Sequence, residues 1–424
     1  MAVAVGLAAC SSSGSSGGSG TSAANGATSA AGGSCGKQVF VKPTQVDQAV
    51  FNSLPASVQQ DFSGWPFPLA ASPWAHSKPV KGPWKIGFIA PPISGSYETD
   101  VLAELQRLFA DFKAQGLVTG SLQVYVQPTQ ATATPEQQIQ AIQKMVANGV
   151  NGILLETLDG APLNNAIDAA GKAGVPVINM ANVVLGNTYS VNTFSSTQQS
   201  AGFAGIMNLI HGQGDVINLR GPAGSQEEGA FNDQLLQAVA RCPNVHIVST
   251  LQGDWTDAGA KTVILQYLSS HPTQKLAAVL QNGGTGIGII QAFLQAGKTV
   301  PPISLGGCAG GCVSWWATNA SHYQAAGSEL TGAQVAYTTL NILFRILAGK
   351  GLKVNGISPS VTPLSNANIK QFYVPGTNIN YTGEAAAPIQ GWGGTDSFLD
   401  GYFNSPGVPG KWPTGPGPTG SASS

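Results

Sequence analysis

Charge is what this sequence has least of. Of its 424 residues only 9% are Asp, Glu, Lys or Arg, and 19 basic side chains against 20 acidic ones leave a formal net charge of -1. An average domain carries about 25% charged residues. No basic stripe remains to hold nucleic acid, and no acidic run to hold a basic partner. Histidine is scarce too, and none of His76, His211, His246, His271 and His322 sits in an H-E-x-x-H pair or beside a nucleophile. There is no C-x-x-C pair, so zinc is not expected, and neither a metal nor a cofactor is. The glycine-rich run 283–288 lacks the Lys-Ser/Thr of a phosphate loop and reads as a strand-to-helix turn. A G-x-S-x-G match at 14–18 falls where no strand or helix can build a nucleophile elbow. These absences argue against an enzyme. No run reaches the ~18 apolar residues of a membrane span. Residues 11–83 are too rich in Ser, Gly and Pro for a helix-turn-helix ahead of the first strand.

What is present begins at the N-terminus. Residues 1–10 are an apolar run ending in Leu7-Ala8-Ala9-Cys10, the pattern of a lipoprotein signal peptide whose cysteine is lipidated. No Lys or Arg precedes Cys10; a start codon assigned too late would explain the missing basic n-region. Two or more acyl chains give stable anchoring where one is marginal. Residues 11–36 then form a Ser/Gly tether. Residues 37–83 are rich in Pro and Trp and are expected to be an extended segment packing its aromatics on the main domain. The last stretch, 405–424, is Pro/Gly/Ser-rich and expected to be disordered. With Cys10 lipidated, Cys35, Cys242, Cys308 and Cys312 remain, and four cysteines allow three pairings. A Cys308–Cys312 bridge would close a small loop over Ala309-Gly310-Gly311.

The middle of the chain alternates. Short apolar runs at 86–90, 122–126, 152–155, 176–180, 216–219, 247–251, 277–280 and 303–305 read as buried parallel strands. Between them lie helical patterns at 100–115, 226–240, 257–270, 284–296 and 331–347. Thr134-Pro135-Glu136-Gln137 is a capping box with proline at the first helical position. The alternation predicts α/β architecture: two doubly wound parallel-sheet lobes.

From about residue 84 to 347 the order of these elements resembles the type I periplasmic binding proteins, the ribose- and galactose-binding group of ABC importers. The resemblance rests on Lys85-Ile86-Gly87-Phe88-Ile89, on Gly149-Val150-Asn151-Gly152-Ile153-Leu154-Leu155, and on Ala173-Gly174-Val175-Pro176-Val177-Ile178. Leu219-Arg220-Gly221 with Gly224, and His271-Pro272 before 277–282, extend it. It implies a three-segment hinge, with an N-terminal lobe of 84–194 and 328–355 and a C-terminal lobe of 195–327 and 356–404. It further implies a monomer that closes on a sugar-like ligand, a permease partner in the membrane, and membrane attachment through the lipid anchor. A sensor feeding a membrane receptor is the alternative, an exported hydrolase a remote one.

The resemblance also nominates ligand-binding residues. Tyr97 would stack on a sugar ring, with Glu98 beside it accepting hydroxyls. Asp159 and Asn182 follow the third and fourth strands; Phe231 and Trp255 would line the second lobe, and Asn282 ends a strand. Gly229 stands where the family often has arginine, and Cys308 where it usually has aspartate. Those two departures leave a modified sugar, a polyol or a less hydroxylated ligand open. A Cys308–Cys312 loop would bring Trp315 or Trp316 to the cleft wall.

Overall fold

The structure, a computed structural model, describes residues 34–39, 45–62, 65–93, 95–129, 132–157, 159–186, 188–195, 198–359, 361–386 and 396–413. Cys10, its signal peptide and residues 414–424 lie outside the described residues. No described helix is long and apolar enough to cross a membrane.

The first sheet takes β1 (Ile86–Ala90), β2 (Gln123–Val126), β3 (Gly152–Leu155), β4 (Val177–Asn179), β5 (Ser190–Thr193) and, from much later in the chain, β11 (Gly356–Ile357). The second takes β6 (Gln213–Arg220), β7 (Asn244–Gln252), β8 (Ala278–Gln281), β9 (Ser304–Gly306), β10 (Ala326–Glu329) and β12 (Thr362–Leu364). The first sheet runs β11-β5-β4-β3-β1-β2 with every pairing parallel. The second comprises the blocks β7-β6-β8 and β12-β10-β9, joined by a parallel bridge between Val279 and Ile303. Only β12 is antiparallel to its neighbour. Strands β1 and β3 are apolar and wholly buried, and β4 is buried with Asn179 as its one polar residue, as a sheet covered by helices on both faces requires.

Helices follow from stripe and cap. Helix Ser96–Ala114 buries Val101, Leu105, Leu108, Phe109 and Phe112 on one face. Helix Pro135–Ala147 starts at the Thr134/Gln137 capping box with Pro135 at its first position. Helix Gly332–Leu347 is buried on all sides. It can approach helix Ser96–Ala114 because Gly332 has no side chain: a Cβ there would lie 2.3 Å from the Tyr97 carbonyl oxygen.

Several expected boundaries shift. β10 belongs to the second sheet, so the return to the first lobe comes at Leu330 and not at 328. β11 pairs with β5, which puts residues 356–357 in the first lobe, not the second. Cys35 is bonded to Cys242 (S–S 2.00 Å) and Val39 is buried in the second lobe's core. The tether therefore ends before Cys35. Residues 45–83 are not simply extended, since they include helices Gln48–Ser53 and Ala56–Asp61. Their Trp65, Phe67 and Trp74 are buried in the first lobe's core, as is Trp84 just after them.

The C-terminal stretch is also corrected. Residues 396–413 fold back on the first lobe, where Leu399, Tyr402 and Phe403 join the core. The fully buried Arg345 donates to Asp400 at 2.6 Å and to Asn341 at 2.7 Å. Trp412 packs 4.6 Å from Phe112 and 5.0 Å from Tyr337, and Tyr337 donates to the Pro413 carbonyl at 3.0 Å. Up to residue 413 the expected disorder is contradicted: the Trp412 indole and hydrogen bonds from Gln115, Tyr337 and Lys350 hold the stretch on the first lobe.

Candidate ligand-binding site

Both lobes have the doubly wound order in which strands run outward from a central switch point, and a ligand crevice forms at the strands' carboxyl ends. Here the carboxyl ends of the two sheets face a common cavity of about 360 Å³. That lies within the ~300–1,000 Å³ of small-molecule pockets. The first lobe supplies Tyr97 and Glu98 from the start of helix Ser96–Ala114, Glu156 from the end of β3, and Asn182 after β4. The second supplies Glu227 and Phe231 from helix Gln226–Ala240, Trp255 and Asp257 after β7, and Asn282 after β8. Glu384 reaches the cavity from the irregular stretch after β12.

One wall is a relay. The Trp255 indole N–H donates to Asn282 Oδ1 at 3.0 Å, and Asn282 Nδ2 donates to Glu228 Oε1 at 3.3 Å. Glu228 is gripped in turn by the Arg220 guanidinium through both oxygens, a bidentate geometry that fixes direction as well as charge. Trp255 itself holds φ +52°, an uncommon left-handed backbone for a bulky residue. Its ring fits because Gly221 and Gly283 flank it: a Cβ on either would come 2.2 or 2.1 Å from the indole. Phe231 is buried and stacks on Phe194 at 5.1 Å. Across the cavity, Asn182 is pinned by its amide to the Thr157 carbonyl and accepts the Val183 N–H at 2.7 Å.

The electrostatics are one-sided. Glu98, Glu156, Glu227, Asp257 and Glu384 line the cavity; among the described lining residues there is no Lys, Arg or His. Burial, reinforced by Glu98 and Glu227, pushes the Glu156 carboxyl well above its usual range. Burial lifts Glu227 to about 8. Glu384 is also raised to about 8, chiefly by burial and against a hydrogen bond from Ser96. Asp257 is raised by burial, although it accepts the Gly288 N–H at 2.8 Å. Burial and then the negative charge of Glu156, Glu227, Glu98 and Glu384 push the Tyr97 hydroxyl up. Glu156 Oε2 and Tyr97 Oη are both buried and have no hydrogen-bond partner among the described residues. No group of metal-ligating side chains occurs among the described residues.

Of the residues nominated from sequence, Tyr97, Glu98, Asn182, Phe231, Trp255 and Asn282 come together at this cavity. Asp159 does not: it is exposed. The chain turns away after Thr157, whose hydroxyl donates to the Asp159 carbonyl at 3.2 Å, so Glu156 takes the place at the strand end. Cys308 is buried in a disulfide with Cys312 (S–S 2.07 Å); its neighbours Gly307 and Ala309 form the wall instead. Trp316 is a core residue bonded to Asn366, and Trp315 packs on Tyr323. Neither reaches the cavity, because helix Gly310–Asn319 points them away from it.

Sequence reasoning passed over Glu227, which with Glu228 reads as a solvated helical turn. Glu228 is in fact buried in its ion pair, and Glu227 is half-buried at the cavity. Glu156 and Glu384 were also missed. Glu156 directly follows the apolar run 152–155, a signal that was available; Glu384 has no local signal.

This arrangement is that of a two-lobed α/β protein with a cavity of small-molecule size between its lobes. The sequence matches the family model described as the periplasmic binding protein domain over residues 86–351. The chain belongs to that family, whose members bind solutes for transport and are not enzymes. It is 24% identical over 172 residues to a xylitol-binding protein of Mycolicibacterium smegmatis, covering 39% of this chain and 48% of that one. It is 24% identical over 167 residues to the ribose import binding protein of Escherichia coli, covering 39% and 56%. The chain thus spans about half the length of the curated relatives it matches. Among solved structures it resembles an ABC transporter solute-binding protein from Thermobispora bispora (TM-score 0.59, 22% identity, 68% and 87% covered). It also resembles the arabinose-binding component from Shewanella, bound to arabinofuranose (TM-score 0.58, 21% identity, 68% and 93% covered).

Proposed function

We propose that this chain is the extracytoplasmic, lipid-anchored binding component of an ABC importer, a monomer that takes a small hydroxylated ligand into the interlobe cavity and closes on it. The observation that carries this reading is the cavity's composition. Tyr97, Phe231 and Trp255 offer apolar faces, as the C–H face of a sugar or polyol needs. Asn182, Asn282 and the surrounding carboxyls offer the oxygens and amides that hydroxyls need. The family relationship and the xylitol- and ribose-binding relatives agree with it. Hinge closure would bury the ligand between lobes and present a closed shape to a permease.

Thermal melts against a panel of pentoses, hexoses and polyols test the ligand class, since a ligand that binds only the folded state raises the melting temperature. At a hundredfold excess over Kd the gain is about 2.7 kcal/mol. A flat panel would remove the polyol reading. Palmitate labelling of the wild type and of Cys10→Ser tests the anchor; equal labelling would sink it.

A further inference from the structure

We infer that the ligand is cationic as well as hydroxylated: the cavity is built for a sugar or polyol bearing a protonated primary amine, with Glu156 as the principal contact of the ammonium. This rests on the reading of the cavity as a polyol site and narrows it.

Three observations carry the inference. First, five carboxyls from five separate segments converge on one cavity of about 360 Å³ with no basic side chain in its described lining. The Arg220 guanidinium is occupied by Glu228, to which Asn282 donates. Burial opposes the ionisation of such carboxyls unless an opposite charge joins them, and a ligand cation would supply that charge. Second, Glu156 is only 9% exposed, lines the cavity, and has an oxygen without a hydrogen-bond partner. The Tyr97 hydroxyl is in the same condition. An ammonium has three donors to give and no acceptor, which matches unfilled acceptors. Third, Tyr97, Phe231 and Trp255 share the cavity, and aromatic faces attract cations as well as sugar C–H groups.

The alternatives fit less well. Helix N-termini ordinarily favour anions, but here Glu98, Glu227 and Asp257 occupy the first turns of three of the helices that open on the cavity. A sugar acid or sugar phosphate would meet those carboxyls. A neutral sugar could hydrogen-bond with them but would bring no charge to offset the burial that opposes their ionisation. Burial holds Glu227 and Glu384 at about 8, as expected of a site awaiting a counter-charge.

The test is isothermal titration of the intact protein at pH 7 with matched pairs: D-glucose and D-glucosamine, D-galactose and D-galactosamine, D-sorbitol and 1-amino-1-deoxy-D-sorbitol. N-acetylglucosamine serves as the neutral control for size, and D-glucuronate as the anionic one. At least one amine should bind roughly tenfold or more tighter than its neutral partner, with the glucuronate silent. Glu156→Gln should shrink that ratio to about one, and Glu384→Gln should lower it by less. Melting curves of both variants establish that they fold; if Glu156→Gln does not, Glu384→Gln carries the comparison. Neutral partners binding as tightly as the amines would overturn the charge inference and leave the polyol reading standing. Silence from every compound would overturn both.

Discussion

The two lobes share a strand order yet are held together by different means. The first is a single six-stranded sheet around which residues from both ends of the described chain pack an aromatic layer. Trp65 sits at its centre, edge-on to Phe62 at 5.5 Å, Phe67 at 5.7 Å and Phe194 at 6.0 Å. The second lobe has its strands in two three-stranded blocks and carries both disulfides, Cys35–Cys242 and Cys308–Cys312. The comparison suggests that a common scaffold can be reinforced by apolar area or by covalent links. It also suggests that the two lobes will fail under different conditions.

Trp65→Ala attacks the apolar reinforcement and should cost about 3–5 kcal/mol, measured by urea unfolding. A loss under 1 kcal/mol would show that the aromatic layer is decoration. Replacing Cys35 and Cys242 together with serine attacks the covalent reinforcement. That bridge closes a loop of sequence separation 207, and its loss should cost about 2–5 kcal/mol. In calorimetry the double variant should melt its second lobe earlier while the first lobe's transition stays put. If both lobes shift together, they unfold as one unit and the contrast is void. Trp412→Ala removes a half-buried indole from the first lobe only and should cost about 2 kcal/mol, with no effect on the second transition.

A change of pH touches both lobes, because the acidic cavity lies between them. Glu227 and Glu384 rise from 4.5 to about 8, and Asp100 rises from 3.8 to about 6. Between the ordinary carboxyl range and about pH 8 the native state therefore holds protons that the unfolded chain has lost. Stability of the ligand-free protein should fall as pH rises across that window. Melting temperatures at pH 5 and pH 8 check it; a higher melting temperature at pH 8 would contradict the burial of these carboxyls.

Much of this fold could be read from the sequence wherever a strand is apolar. The runs at 86–90 and 152–155 coincide with β1 and β3, and helices Gln226–Ala240 and Asp257–Ser270 fall where their patterns placed them. Strands β5, with sequence SVNT, and β10, with AGSE, were not legible: both are fully buried, yet they are polar or small. Burial is tolerable in β5 because its side chains are partnered. Asn192 accepts from Asn179 at 2.6 Å, and Thr193 donates to the Asn179 carbonyl at 2.7 Å. Periodicity cannot report a strand whose partners lie elsewhere in the chain. The same limit applies at the cavity. Residues adjoining apolar strands, such as Asn282, could be nominated, whereas Glu384 reaches the site only through the fold.

The disulfide at Cys35 has a mechanical consequence. It fastens the segment to one lobe, and Val39 is buried in that lobe's core. Val46 bridges to Leu69 on the other lobe. Between Val39 and Val46 there are only seven steps of backbone, a reach of about 25 Å when fully extended. Were the lobes to swing apart, this short leash would limit how far those two anchor points could part.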